Sequence, residues 1–241
     1  MAYRNDKDLN FLANADDEDL KILVDYLIRD NVGNLRLTEE LTNNPNYKEN
    51  PDHPRAYWKA IAAELQCYGA NTFATILRGG EGVLYREILC DVCDKMKVNY
   101  NSKSSVDLIE INFLKKILTD SVENMDNEQM KALVESLDIN LNHLTKQAVI
   151  AAIQGIIFKG EFTSYKLAVI VANAVTKERL GRGIALANAA LVPVLAKFAG
   201  PIGWVLNGLW IAVDVAGPAY RVTVPAVIQV AYMRAKSYTD A

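Results

Sequence analysis

The sequence predicts an all-α protein, a multi-helix bundle with a hydrophobic C-terminal helical hairpin, and three observations carry that prediction. Apolar residues of the N-terminal half recur at helical spacing, as in Leu20, Leu23, Val24 and Leu27. Residues 148–158 and 167–175 are apolar almost all round, which suits helices enclosed by other helices. The only strand candidate, residues 168–171, runs on into alanine-rich sequence that favours helix. About nine to eleven helices are expected, and 241 residues suffice to bury a core without disulfides or metals.

Taken in order, Asp16, Asp17, Glu18 and Asp19 place acids at the positive end of a first helix that Gly33 closes. Residues 36–54, rich in Asn and Pro, predict a short helix over 38–42 and then a loop. Pro54 fits a first helical turn, ahead of a stripe of Trp58, Ile61, Leu65 and Tyr68 that Gly69 ends or bends. Residues 72–77 predict another turn or two. After a glycine-rich turn, Leu84, Ile88, Val92 and Met96 carry the next helix. Ser104 and Ser105 start another with Val106, Ile109, Phe113 and Ile117. Asp126 and Gln129 form a capping box before Met130, Leu133, Val134 and Leu137. In the last segment, residues 220–238, Pro225 predicts a kink or a helix start, and a basic tail with Arg234 and Lys236 follows. A boundary near residue 100 would divide the chain into 1–100 and 101–241; one continuous domain is the alternative.

Residues 184–233 organise the rest. Over these fifty positions the charges are Lys197, Asp214 and Arg221. Two uncharged blocks, 184–196 and 198–213, are each shorter than the roughly 20 residues of a spanning helix. They form either a buried hairpin within the bundle or a helical pair that a membrane can receive. Gly208, Ala212 and Ala216 put a smooth strip on one face, which permits close helix pairing and a homo-oligomer. Trp204 and Trp210 suit a membrane interface or a core. Charge is divided: residues 1–176 carry 19 Lys+Arg against 26 Asp+Glu, and 177–241 carry 7 against 3. A basic, apolar C-terminal part fits either an anionic lipid surface or docking onto the acidic half of its own chain.

Chemistry is sparsely signalled. The opening residues, polar and charged, predict no signal peptide and so cytoplasmic residence, and three cysteines give no disulfide framework. Cys90 and Cys93 lack the second ligand pair of a zinc site and read as structural. His53 and His143 lie in polar settings, and Glu64, Glu87 and Asp91 on ordinary helical faces, so no catalytic residue, cofactor or metal is assigned. No basic stripe interleaved with aromatics points to nucleic acid. The turn Arg78-Gly79-Gly80-Glu81-Gly82, with Tyr85 and Arg86 after it, is a candidate anion or partner site, because glycines expose backbone N–H groups and the following helix aims its dipole at them. It matches neither a Walker A loop nor a dinucleotide fingerprint, and a plain interhelical turn is the alternative.

Three stretches together resemble the YaaW family of bacterial proteins, itself grouped with ubiquinol-cytochrome c chaperones: DKDLNFLANADDEDLKILVDYL, HPRAYWKAIAAELQCYGANTFATILRGGEGVLYREILCDVCDKM and GPIGWVLNGLWIAVDVAGPAYRVTVPAVIQVAYMR. Residues 99–177 match least. The resemblance implies a sensor in anti-phage defence against jumbo phages, one that gathers at an early infection vesicle and recruits an effector protein. The chaperone grouping implies instead a module that holds a hydrophobic client.

The expectation is therefore a non-enzymatic cytoplasmic protein with peripheral membrane association. Trp204 and Trp210 would reach the acyl boundary of an anionic lipid or phage-derived vesicle while Arg182, Lys197 and Arg221 meet phosphates. An assembly chaperone and a pore-forming effector are the alternatives.

Overall fold

A computed structural model describes residues 2–30, 32–69, 82–156, 161–184, 192–210 and 219–239, with the backbone alone for 161–163, 192 and 208–210. Among these residues the chain is all-α. The helices are α1 (Asp17–Ile28), α2 (Pro45–Glu49), α3 (Trp58–Gly69), α4 (Tyr85–Lys95), α5 (Val106–Val122), α6 (Asn127–Ser136), α7 (Lys146–Gln154), α8 (Glu161–Leu180), α9 (Val192–Ala196), α10 (Ala199–Trp210) and α11 (Tyr220–Thr239). Short 3₁₀ turns occupy Asn10–Asn14, Leu41–Asn43 and Pro54–Tyr57. The described residues contain one isolated β-bridge, Arg29 to Leu35, and no strand.

The predicted signals act as physical chemistry requires, with some displacement. Three acids in the first turn of α1 meet the helix dipole. The Asp126 side chain accepts from Gln129 N–H and the Gln129 side chain accepts from Asp126 N–H, at 2.8 and 3.0 Å, which closes the capping box of α6. The helix expected over 38–42 is instead a 3₁₀ turn, because Pro45 with Asn44 as its N-cap starts α2 a few residues later. Gly33 does not end α1, which stops at Ile28; at φ +88° it turns the chain into the Arg29–Leu35 bridge. Residues 72–77 lie outside those described.

Helix α11 is the axis of the molecule. Every residue from Val222 to Ala235 is buried, and α8, α1, α5, α4 and α3 pack around it. A helix enclosed on all sides needs no polar face, which explains the all-round apolar sequence. The helix expected to start near Pro225 begins at Tyr220, and Pro225 lies in its second turn, where the missing N–H removes only the bond to the Arg221 carbonyl near the helix start. One hydrophobic core runs from Leu9 to Ala235 and is continuous across residue 100.

Buried amides then fasten the outer segments to that core. Gln66 behaves like a strand within a helix: its side chain accepts from Arg4 N–H at 3.1 Å and donates to Arg4 C=O at 2.9 Å, while its own carbonyl accepts from Val83 N–H at 3.1 Å. Gln229 of α11 donates to the Asp19 carbonyl at 3.0 Å.

Candidate functional site

The glycine-rich turn is described from Gly82 onward; Arg78, Gly79 and Gly80 lie outside the described residues. A Cβ on Gly82 would sit 2.3 Å from the Gln66 carbonyl carbon, so only glycine permits this approach of two backbones. The first amide of α4 is taken by the chain itself. The Asp6 carboxylate, 2% exposed, accepts from Tyr85 N–H at 2.6 Å. Arg86 donates to the carbonyls of Ser102 and Ser104 at 3.0 and 2.8 Å, and Arg4 approaches Glu87 at 3.7 Å. Tyr85 is fully buried. The described part of the turn thus works as a junction between the N-terminal segment, α3, α4 and the loop before α5.

Tyr85 leads inward to a buried ion pair. Its hydroxyl donates to Glu110 at 2.6 Å, and Arg234 Nε meets the same carboxylate at 2.9 Å. Arg234 also donates to the Asp8 carbonyl at 2.7 Å and lies over the ring of Phe11, 4.5 Å from its centroid. Burial pushes the Glu110 carboxyl up, opposed by Arg234 and the Tyr85 hydroxyl; burial lowers Arg234, but the Glu110 charge more than offsets it and the guanidinium stays charged. Arg234 is 8% exposed, so it is not the basic tail its sequence position suggested. It joins α11 to α5, α4 and the N-terminal segment.

The face of greatest functional interest is α10. Ile202 and Leu206 are buried against the rest of the bundle, whereas Trp204 is 67% exposed. Gly200, Trp204 and Asn207, three and four residues apart, share the exposed side, and Lys197 precedes them on the turn from α9. The Trp210 backbone closes α10; its side chain, like residues 212 and 216 of the small-residue strip, lies outside what is described. Lys197 pairs with Glu128 at 2.5 Å and Arg182 with Asp25 at 2.8 Å, so both basic groups touch the acidic remainder of the chain. These pairs are solvent-facing and worth about 1 kcal/mol or less, weak enough to exchange for another anion. Arg221 is exposed at the start of α11.

Elsewhere, Cys93 is buried and Cys90 half-buried, and burial pushes the Cys93 thiol up, the opposite of an activated nucleophile. Glu64, expected on an ordinary helical face, is buried on α3 with its carboxylate under the 3₁₀ turn at Leu41. Beside that turn lies an open cleft of about 850 Å³ lined in part by Tyr3, Asn43, Asn44 and Trp58. No group of three His, Cys, Asp or Glu side chains among the described residues is placed to hold a metal, and no described helix is long and apolar enough to cross a membrane.

The described residues thus define an all-α bundle packed around its C-terminal helix, with Trp204 exposed on an outer helix. The family description "Ubiquinol-cytochrome C chaperone" matches residues 54–228, and a domain of unknown function (DUF3944) matches residues 3–37. A UPF0174 protein of Helicobacter pylori strain J99 is 50% identical over 239 residues, covering 98% of this chain and 94% of the relative. A UPF0174 protein of H. pylori strain 26695 is 44% identical over 206 residues, 83% of this chain and 98% of the relative. The UPF0174 protein YaaW of Escherichia coli K12 is 34% identical over 237 residues, covering 96% and 95%. The chain belongs to this YaaW (UPF0174) family within the ubiquinol-cytochrome C chaperone grouping. No solved structure matches it.

Proposed function

We propose that the protein is a non-enzymatic recognition module that meets an intracellular membrane or phage-derived vesicle through the exposed face of α10 and recruits an effector protein through its acidic N-terminal part. The observation that carries this reading is Trp204, a large amphipathic ring left 67% exposed on a helix whose other side is buried. The neighbouring cations support it: Lys197 and Arg182 are held in weak surface pairs that lipid phosphates can replace, and Arg221 is exposed. The burial of α11 from Val222 to Ala235 supports a lipid-facing role on the outer helices and, in α11, on Arg221 in its first turn. The anti-phage setting rests on the resemblance to YaaW-like defence sensors.

The chaperone family description favours a second reading, in which the same Trp204 face holds an apolar client protein. Vesicle flotation separates the two. With anionic vesicles, wild type should rise into the lipid layer and Trp204→Ala should fall behind by about 30-fold in partitioning, for a contribution of roughly 2 kcal/mol from one buried aromatic. Equal flotation of the two proteins defeats the membrane reading. Dye retained in loaded vesicles is expected, and its release would show a pore instead.

A further inference from the structure

Between α1 and the 3₁₀ turn at Leu41 the usual placement of polar and apolar side chains is inverted. Val32 is 80% exposed, Leu35 53% and Leu37 completely, whereas Arg36, between the two leucines, has Nε and Nη2 withdrawn from water. Leu35 pairs with Arg29 in the β-bridge, and side chains alternate along such a bridge, so Leu35 faces out where Arg36 faces in. A shift of one residue would reverse this, and burying leucine in place of arginine is what the chain alone would favour. The turn is nevertheless firmly built. Asp30 N–H donates to the Asn34 carbonyl at 2.8 Å, Gly33 N–H to the Asp30 carbonyl at 3.2 Å and Arg36 N–H to the Ile28 carbonyl at 2.8 Å. The Asp30 carboxylate accepts Val32 and Asn34 N–H at 2.9 Å each, and Arg29 Nη1 donates to the Gly33 carbonyl at 2.9 Å.

We infer that the turn carrying Val32, Leu35 and Leu37 is a membrane-inserting element, whose three apolar side chains enter the acyl boundary of an anionic bilayer while Arg29 meets its phosphates. This rests on the membrane reading proposed above and adds a second point of contact to it. Lipid fits the turn better than protein does on three counts. A hydrocarbon boundary offers no partner to backbone N–H groups, and those of Asp30, Val32, Gly33, Asn34 and Arg36 are already bonded within the turn and its base. Three side chains fall far short of the roughly 800 Å² per partner that a stable dimer buries. Arg29, Arg36 and Arg182 outnumber Asp25 and Asp30 around the tip, and Arg29 and Arg182 share the single carboxylate of Asp25 at 3.4 and 2.8 Å. That sharing also leads from the turn towards α10. Arg182 lies four positions after Glu178, and a Cβ on Gly203, next to Trp204, would sit 3.2 Å from the Glu178 carboxyl carbon. The turn and the exposed face of α10 therefore stand at the same end of α8.

The test is flotation of the full chain with mixed phosphatidylcholine–phosphatidylserine vesicles. Leu35→Ser/Leu37→Ser should lower the partition coefficient by about 100-fold against wild type, since two leucines no longer leave water on binding. Both positions are exposed, so this variant should keep the wild-type denaturant midpoint. Val32→Trp should raise partitioning several-fold, because an interfacial aromatic replaces a small aliphatic. Leu144→Ser, which removes an exposed leucine from the loop before α7, should float as wild type does. Equal flotation of wild type and Leu35→Ser/Leu37→Ser overturns the inference, whatever Trp204→Ala does, and so does an equal fall in Leu144→Ser or the lack of any gain in Val32→Trp. A fall in the leucine variant while Trp204→Ala floats normally keeps the turn and removes the α10 face. Wild type left at the bottom of the gradient overturns both, and points to a protein partner for the turn instead.

Discussion

Glu64 gives the fold a measurable dependence on pH. Its side chain is 1% exposed in α3, and both carboxylate oxygens lie 3.3 Å from Glu40 N–H. Burial, with the nearby charges of Glu39 and Glu40 adding to it, raises its pKa to about 7. In the unfolded chain it returns to the ordinary value of 4.5. Between those two values the folded state binds the extra proton, so stability falls as pH rises. The contribution is fully present below pH 4.5 and lost as pH passes through about 7. That interval corresponds to about 3 kcal/mol at 1.36 kcal/mol per unit. Glu64→Gln keeps an acceptor for Glu40 N–H and cannot ionise. Its stability relative to wild type should therefore climb by about 3 kcal/mol from pH 4.5 to pH 8, roughly 6–12 °C in Tm. Urea unfolding of both proteins across that range measures the difference, in which other titrating groups cancel. A difference that stays constant with pH would refute the assignment.

Two further outcomes follow from the buried junctions. Arg234→Met strands the Glu110 carboxylate in the core and should cost about 3–5 kcal/mol at pH 7, while Glu110→Gln/Arg234→Met should recover most of that loss; denaturant midpoints of the single and double variants decide it, and an additive double variant would contradict the coupling. Gly82→Ala drives a methyl into the Gln66 backbone and should destabilise by about 3 kcal/mol, whereas Gly33→Asn, at a positive φ with open space around it, should change stability by well under 1 kcal/mol in the same assay.

Periodic and capping signals act within a few residues, which is why α3, α5 and the capping box of α6 were legible in the sequence. The same holds for residues 167–175 of α8, whose lack of a polar face announced enclosure, but not for the stretch 148–158, read the same way: α7 buries Val149 and Ile153 and leaves Ala151 and Gln154 exposed. The junctions were not legible, because they are long-range. Asp6 meets Tyr85, and Glu110 meets Arg234, across 79 and 124 positions. Nothing around Arg234 distinguishes it from Lys236 two residues on, yet one faces the core and the other pairs at the surface with Asp16. Glu64 was read as lying on an ordinary helical face, and the return of the 38–41 segment over α3 covers its carboxylate. That the chain would place its own Asp6 at the start of α4 was not legible either. Trp204 illustrates the remaining limit, since hydrophobic sequence marks what leaves water but not which ring stays outside.

Trp204 is therefore where the account is most directly measured. In a Trp58→Phe/Trp210→Phe variant of the full chain, Trp204 is the sole indole, and anionic vesicles made with brominated acyl chains report whether it reaches the hydrocarbon. The account predicts quenching and a blue-shifted emission that are absent with neutral vesicles at physiological salt. Emission unchanged by brominated anionic vesicles to which the protein is shown to bind would contradict it, because the protein would then be meeting lipid by some other face.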